Sequence, residues 1–550
     1  MNKKYIVGGL VFWAGLSGYM GLRILESYTE DAVFAALSAV PAEAQEIRYS
    51  FLTNTLRLKG VEYELPDEKI MHKGSIESVE VTGFNRKCMF VKPDMPAYDP
   101  DTLPIVAESI HAEGIVDRIH VDKTQVEQRI SDVQIRGWYQ RLGMFLDQHR
   151  QHNGELSYYE ELYRYRLDGM DVNNVTLTIT EPDTPPLNAA IDKMALSDGV
   201  RAPRIDEKVT PVSLYLSGVR FSGEDGSDGK ISGGVQRLEV RDLLLPDPAV
   251  MVELAGIGKV LDAADPESEA DSMAFENQLT RLVTLLQQNY EKRVPFSRMG
   301  VQGLRLELAG SGGPEEQSGR NVAVIGVNGF DYAQALTAEG NVRSTASLDG
   351  LKIDAPVLTE DAIIMRYAPD GFVLNVNGES LSGDELIEGK ARYELKGLGV
   401  LEGDMALTGD IKALQNWSGA GGALDSDPAE LMQNVQLKNL NLAYRDSGLL
   451  AMSVELLARE DGRTPDELLA EFSQMLAMTS QFPNRAARQL GAALTEQLAT
   501  PGEFAMNLVP SAPLSIMELF TMAMMGSDDL PVTFSSKPGA KALKDYLPQS

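Results

Sequence analysis

Short runs of alternating apolar and polar residues recur along the chain, each preceded by an apolar residue, a spacer and a Gly, Asn or Asp. One run is Val61-Glu-Tyr63-Glu-Leu65. Alternation with period two places one side of a strand on a core and the other in water. The small or polar residue before each run supports a turn or bulge. The pattern therefore predicts that each phrase marks the beginning of a half-buried, antiparallel strand. The phrases are LKGVEYEL (58–65), SDVQIRGW (131–138), VNNVTLTI (172–179), LSGVRFSG (216–223), VQGLRLEL (301–308), LDGLKID (348–354) and LKNLNLAYRDSGLL (437–450).

The spacing of these phrases predicts a degenerate repeat. Several of them begin 41–47 residues apart, and other gaps are close to twice that length. Repeated strand units that bury one face only against their neighbours form an elongated body. The predicted fold class is therefore α+β and β-dominated: an N-terminal transmembrane helix, an elongated twisted antiparallel sheet with degenerate strand repeats, helical insertions and a helical C-terminal region.

Helical patterns interrupt the strands in three places. Residues 137–167 have helix-like spacing, and residues 271–293 carry an apolar stripe after an acidic stretch that indicates a linker. Beyond residue 446, Thr464 and Glu467 form a capping-box pattern, and two more apolar-striped helices follow. The predicted segments are a signal-anchor (1–27), a β-rich body with a helical insertion at about 137–167 (28–245), a linker with amphipathic helices (246–295), a second β-rich segment (296–445) and a helix-rich region (446–550).

The N-terminus contains a run of 18 residues without a charge, Tyr5 to Leu22, which follows Lys3 and Lys4. This length is enough for a helix to span the hydrocarbon core of a bilayer. A cleaved signal peptide is the alternative, because Ala42-x-Ala44 resembles a cleavage site, although it lies far beyond the apolar run. Basic residues before the span predict that the body lies outside the cytoplasm, in the periplasm of a bacterium. The predicted anchor residues are Tyr5, Ile6, Val7, Leu10, Val11, Phe12, Trp13, Leu16, Tyr19, Met20 and Leu22.

The acidic charge narrows the choice of partners. The 550 residues carry a formal net charge of −30. Nucleic acid binding requires clustered Lys and Arg to neutralise phosphates, so we expect no nucleic acid partner.

No sequence motif indicates a catalytic or metal site. Nothing fits G-x-S-x-G, and GEDGSDGK (223–230) lacks the spacing of a phosphate loop and is typical of a hairpin turn. His149 and His152 are spaced to share a helix face, but a solvated helix end is the simpler explanation of their polar surroundings, and we predict no metal site there. We therefore predict a non-enzymatic protein without a cofactor.

Three of these features together resemble the AsmA-like and YdgA-like proteins of the Gram-negative envelope. They are the basic, apolar start followed by IRYSFLTNTLRLKGVEYEL, the recurring phrase, and the C-terminal sequence from LKNLNLAYRDSGLL to PSAPLSIMEL. The resemblance implies a single inner-membrane anchor and a periplasmic β-rich body. In such proteins a long twisted sheet with an apolar groove is implicated in phospholipid movement or outer-membrane maintenance.

The predicted function is accordingly lipid binding or transfer through an apolar sheet groove, or maintenance of the outer membrane. The expected partners are the inner membrane, phospholipid and envelope proteins. The alternative is a structural or assembly scaffold that docks an envelope protein. The candidate groove residues are Val61, Tyr63, Leu65, Leu304, Leu306, Leu308, Leu440, Leu442 and Tyr444.

Overall fold

The protein is described here by a computed structural model in which antiparallel strands dominate. It describes residues 42–50, 53–67, 70–85, 105–121, 123–140, 165–182, 184–197, 211–224, 230–244, 281, 294–309, 322–354, 361–411, 414, 432–479, 482 and 484–547. The predicted anchor residues, in segment 1–27, lie outside this set, as does most of the predicted linker. Within the described part of the chain, no helix is long and apolar enough to cross a bilayer.

The chain divides into two compact units. The first unit contains a meander in which each strand from β1 to β9 pairs antiparallel with the next. Its strands are β1 (Ala42–Ser50), β2 (Thr55–Asp67), β3 (Ile70–Thr82), β4 (Ile105–Val121), β5 (Thr124–Gln140), β6 (Tyr165–Thr180), β7 (Leu187–Ser197), β8 (Val212–Glu224) and β9 (Lys230–Leu243). Glu224 pairs with Lys230, so GEDGSDGK connects the two strands of a hairpin, as predicted.

The second unit contains further antiparallel strands, and five α-helices among its described residues, while the residues of β10 (Arg298–Ala309) are divided between the units. Its strands are β11 (Val322–Leu336), β12 (Val342–Asp354), β13 (Phe372–Ser382), β14 (Leu386–Leu395), β15 (Gly399–Gly409), β16 (Val435–Asp446), β17 (Glu503–Leu508), β18 (Leu514–Ser515) and β19 (Val532–Lys537). Its helices are α1 (Ala362–Tyr367), α2 (Leu449–Glu460), α3 (Pro465–Thr479), α4 (Arg485–Ala499) and α5 (Ile516–Met524).

The predicted C-terminal helices are confirmed, together with the capping chemistry of the first. The Glu467 carboxylate accepts the backbone N–H of Thr464 at 2.8 Å, and the Thr464 hydroxyl accepts the N–H of Glu467. A second capping box at Ser515 and Glu518 begins α5. These bonds satisfy N–H groups that a helix start would otherwise leave unpaired.

Each recurring phrase begins two to seven residues after the start of its strand, so the prediction that the phrases mark strand beginnings is wrong. Gly60 lies inside β2 with φ +57°, in the left-handed region. Leu58 before it and Val61 after it are both buried, although unbroken alternation would place them on opposite faces. The left-handed residue therefore inverts the alternation and lets both halves of a long strand face the same core. The equivalent positive-φ residues in other phrases are Gly137, Asn174, Gly218, Gly303 and Gly350.

The two ends of the predicted helical insertion at about 137–167 belong to strands. Residues 137–140 complete β5 and residues 165–167 begin β6, whereas residues 141–164 lie outside the described part of the chain. Ile135 and Trp138 are both buried on either side of Gly137. The left-handed Gly137 places both side chains on the core side of the strand.

The core of the first unit is closed and contains a buried polar group. Twenty buried apolar side chains form one cluster across β1–β7 and the adjoining Phe84. Within it, Tyr63 reaches across Gly74 and its hydroxyl donates to the Asp117 carboxylate at 3.1 Å. Asp117 and its cross-strand neighbour Gln128 are each only 1% exposed. Asp117 Oδ2 and both polar side-chain atoms of Gln128 have no hydrogen-bond partner among the residues that the structure describes. Burial raises the pKa of Asp117 to about 6, because ionisation in an apolar core is costly.

We predict that Asp117 makes stability decrease as the pH rises. The pKa of Asp117 is about 6 in the folded protein and near 3.8 in the unfolded chain, so folding favours the protonated carboxyl. Its contribution to the free energy of unfolding is therefore complete below pH 3.8 and is lost as the pH rises through 6. Asp117→Asn should therefore raise the free energy of unfolding at pH 8, by at most about 3 kcal/mol, and flatten its pH dependence. Urea unfolding at pH 5 and pH 8 measures this. The exposed Glu113→Gln, on the same strand, is the control, and an unchanged slope in Asp117→Asn would contradict the assignment.

A second prediction concerns Gly114, which has φ +63° in β4. An added Cβ would lie 2.7 Å from the Cβ of Glu77 on the adjacent strand, in a backbone conformation that L-residues disfavour. Gly114→Ala should lower the free energy of unfolding by about 1–3 kcal/mol. Thermal and urea unfolding measure the loss. Gly329→Ala, whose added Cβ meets no atom within 4 Å, should change stability far less.

Candidate functional site

The sheet of the second unit has one apolar face and one polar face, defined by its register. Residues directly opposite each other in an antiparallel pair point to the same side, so each row of paired residues belongs to one face. We call the face formed by three central rows the apolar face. The first row is Phe330, Leu348, Val376, Tyr393, Leu401, Tyr444, Phe504 and Ser536; the second is Tyr332, Ala346, Gly378, Ala391, Gly403, Leu442, Met506 and Phe534; the third is Gln334, Ser344, Ser380, Gly389, Met405, Leu440, Leu508 and Val532.

These rows carry no Asp, Glu, Lys or Arg, even though the protein as a whole is strongly charged. The intervening residues, which define the polar face, form two central rows that carry the charges and amides. One is Asp331, Ser347, Asn377, Arg392, Glu402, Ala443, Ala505 and Ser535, and the other is Ala333, Thr345, Glu379, Lys390, Asp404, Asn441, Asn507 and Thr533. A sheet face without charged residues is usually covered by other parts of the protein, by a ligand or by a partner.

The middle of the apolar face is nevertheless accessible. Tyr393 is 45% exposed, Leu401 41% and Met405 37%. Single exposed apolar residues are ordinary, but these three belong to adjacent strands of one uncharged surface. They indicate a surface available to an apolar ligand.

A trough of about 490 Å³ crosses this surface. Ala346, Gly378, Ala391 and Gly403 follow one another across four strands, and their small side chains leave the backbone as its floor. Its sides are built by larger residues, namely Tyr332, Tyr393, Leu401, Met405, Leu440 and Leu442. We call this depression the apolar trough.

The helices that the structure describes cover the margins of the apolar face. At one end, Ile516 and Leu519 of α5 pack into a cluster with Leu437 and Leu508. On the last strands, the amide of Gln497 in α4 donates to the Ser536 hydroxyl at 2.9 Å. The trough between β11 and β16 therefore stays open to solvent.

At the opposite margin of the apolar face, a hydrogen bond holds the side chain of Tyr444. Its hydroxyl donates to the Asp446 carboxylate at 2.6 Å, and Asp446 also accepts the backbone N–H groups of Gly448 and Leu450. Burial and this acidic neighbour raise the pKa of Tyr444, so the phenol stays protonated. The arrangement fixes the start of α2 beside the sheet and serves a positioning role.

The nine candidate groove residues are distributed unevenly. Leu440, Leu442 and Tyr444 lie half-buried on the apolar face, and the first two border the trough. Val61 and Tyr63 lie in the closed core of the first unit, and Leu65 lies in the same strand. Leu304 and Leu308 are exposed and Leu306 is half-buried in β10.

The sequence reasoning missed the floor of the trough. Gly378 and Ala391 fall outside the recurring phrases, although the stretches FVLNVNGESLS and LIEGKARYEL alternate in the same way. Extending the alternation test to every strand would have found them. Their position side by side depends on the register between strands.

The arrangement can bind an apolar molecule by excluding water. No metal-ligating cluster of His, Cys, Asp or Glu occurs among the residues that the structure describes. The predicted pair His149 and His152 lies outside them.

We predict that filling the floor reduces apolar ligand binding without unfolding the protein. A Cβ on Gly378 would meet only ordinary contacts, the nearest being the Lys390 carbonyl oxygen at 3.5 Å. Gly378→Val should change stability by less than about 1 kcal/mol while occupying the trough. Nile red fluorescence titration measures the loss. Gly329→Val adds the same side chain away from the trough and should bind the dye as the unmodified protein does; equal binding by both variants would contradict the prediction.

Comparison with known families adds one partial match. A family profile described as "Uncharacterized protein" matches residues 392–537, which run from β14 to β19 and include part of the apolar face. A search of curated proteins found none that matches the chain.

Proposed function

We propose that the protein binds lipid by holding an acyl chain against the apolar face of the second unit. The observation that carries this proposal is the trough itself: an uncharged, solvent-accessible surface with a floor of Gly and Ala, on a chain with a net charge of −30. An exposed apolar surface of this kind is a liability unless a ligand or partner covers it.

The energetics suit an acyl chain. Each methylene removed from water contributes about 0.8 kcal/mol, so about ten methylenes in contact contribute ~8 kcal/mol before the cost of association. The six strands from β11 to β16 are about 4.8 Å apart, so the trough extends over roughly 24 Å across the strands. That length accommodates an extended acyl chain lying perpendicular to the strands.

The absence of charge on this face defines where the rest of the lipid lies. A phosphate moved onto the apolar face would lose its hydration without gaining a cationic partner. The headgroup therefore stays in solvent beyond the trough. Recognition through the chain alone favours transport or buffering of lipids over selection of one headgroup.

The proposed setting follows from the N-terminal sequence. With residues 5–22 as an anchor, the body lies in the periplasm beside the inner membrane and exchanges lipid there, or contributes to maintenance of the outer membrane. This placement rests on the sequence pattern and on the resemblance stated above.

A second candidate function, docking of an envelope protein, is supported by a separate surface. Met524 and Met525 at the end of α5 are 72% and 73% exposed, and Phe520 and Phe482 are more than half exposed. Met and Phe side chains form adaptable docking surfaces.

Site-specific photocrosslinking in cells distinguishes the two functions. We would place p-benzoylphenylalanine in the full-length chain at Leu401 in the trough, at Asn377 on the polar face and at Phe520 on α5. The proposal predicts lipid-mass adducts at position 401 and none at position 377, by mass spectrometry of the modified peptides. Absence of lipid at position 401 would overturn lipid binding. A discrete protein adduct at 401 or 520 without lipid would establish docking as the function instead.

A further inference from the structure

The polar face of the second unit also carries a depression. A trough of about 590 Å³ lies between its two central rows, on the side of the sheet opposite the apolar trough. We call it the polar trough. The side chains that border it include Thr345, Asn377, Lys390, Arg392, Asp404, Asn441 and Asn507.

The charges along this trough are already matched to one another. Lys390 Nζ lies 2.5 Å from a carboxylate oxygen of Glu379, and the Arg392 guanidinium pairs with Glu402. Each basic group is therefore engaged by an acid on a neighbouring strand. A small free ion finds little uncompensated charge here, and nucleic acid is disfavoured by the acidic residues.

Amide groups are the binding groups that remain. The Asp404 carboxylate accepts the side-chain N–H groups of Asn439 at 2.6 Å and Asn441 at 2.8 Å. Each asparagine side chain donates an N–H to Asp404, and this bond fixes the orientation of the asparagine Oδ1 atom, which remains an acceptor. The side chains of Asn377 and Asn507, by contrast, make no hydrogen bond within the described part of the chain.

These groups are arranged at regular intervals. Asp404, Asn441 and Asn507 are successive members of one row, on neighbouring strands about 4.8 Å apart. Asn377 lies in the other row across the trough. A ligand lying across β13–β17 would meet a polar side chain at every strand in the row that contains Asn507, and at β13–β15 in the row that contains Asn377.

We propose that the polar trough binds a neutral, polyhydroxylated ligand, an oligosaccharide lying across β13–β17. Successive sugar rings present hydroxyl groups that donate and accept at a repeat comparable to the strand spacing. Neutral amides match such groups without the desolvation cost of an ion. No aromatic side chain belongs to the two polar rows, so binding rests on hydrogen bonds rather than on stacking.

The test uses the full-length protein and chitotetraose, a neutral linear oligosaccharide, followed by saturation-transfer NMR titration. The double variant Asn377→Ala, Asn507→Ala should weaken binding by at least about ten-fold, because two hydrogen-bonding side chains are lost. Asn377 is exposed, so Asn377→Ala alone provides a second variant that leaves the core untouched. It should weaken binding by about three-fold or more.

Leu401→Asp is the matched control, since it alters the opposite face of the same sheet. It should abolish Nile red binding in the apolar trough while leaving chitotetraose binding within about two-fold of the unmodified protein. Failure of lipid binding with intact oligosaccharide binding would refute only the function proposed above. Absence of saturation transfer in the unmodified protein, or equal binding by the double variant, would overturn the polar-trough proposal.

Discussion

The hydrogen-bonded register between neighbouring strands is the constraint on which the rest of this structure depends. In the second unit, seven successive strand pairings keep residues of like character opposite one another from β11 to β19. A slip of one residue at any pairing would move the charged residues of that strand onto the apolar side. The cost of burying or clustering those charges is what holds the register in place.

Left-handed residues within the strands extend the same principle over greater length. A strand as long as β2 twists so much that strict alternation would lose contact with one core. Inversion at Gly60 brings Leu58 and Val61 onto the same side, and the neighbouring strands carry equivalent residues. The first unit uses this device to build a closed core, and the confinement of Asp117 there makes its protonation part of the folding equilibrium.

In the second unit, similar strands form open depressions instead of a closed core. Glycine and alanine at Gly378, Ala391 and Gly403 leave the backbone close to both surfaces, so a depression forms on each side of one sheet. The two depressions differ in chemistry because neighbouring positions along a strand face opposite ways. We propose an acyl chain as the ligand of one side and a hydroxyl-rich chain as the ligand of the other.

The sequence by itself determined the β-dominated class, the hairpin at 223–230 and the C-terminal helices with the Thr464 capping box. These features depend on period-two or helical spacing and on local hydrogen bonds, which neighbouring residues decide among themselves. It misplaced the phrases at strand beginnings, because a left-handed residue inside a strand and a turn before it use the same residue types. Alternation selected Val61 and Leu442 alike as apolar positions. Only the tertiary structure decided that Val61 is closed within a core while Leu442 borders an open trough, since that outcome depends on which side chains lie across the sheet and which helices pack over it.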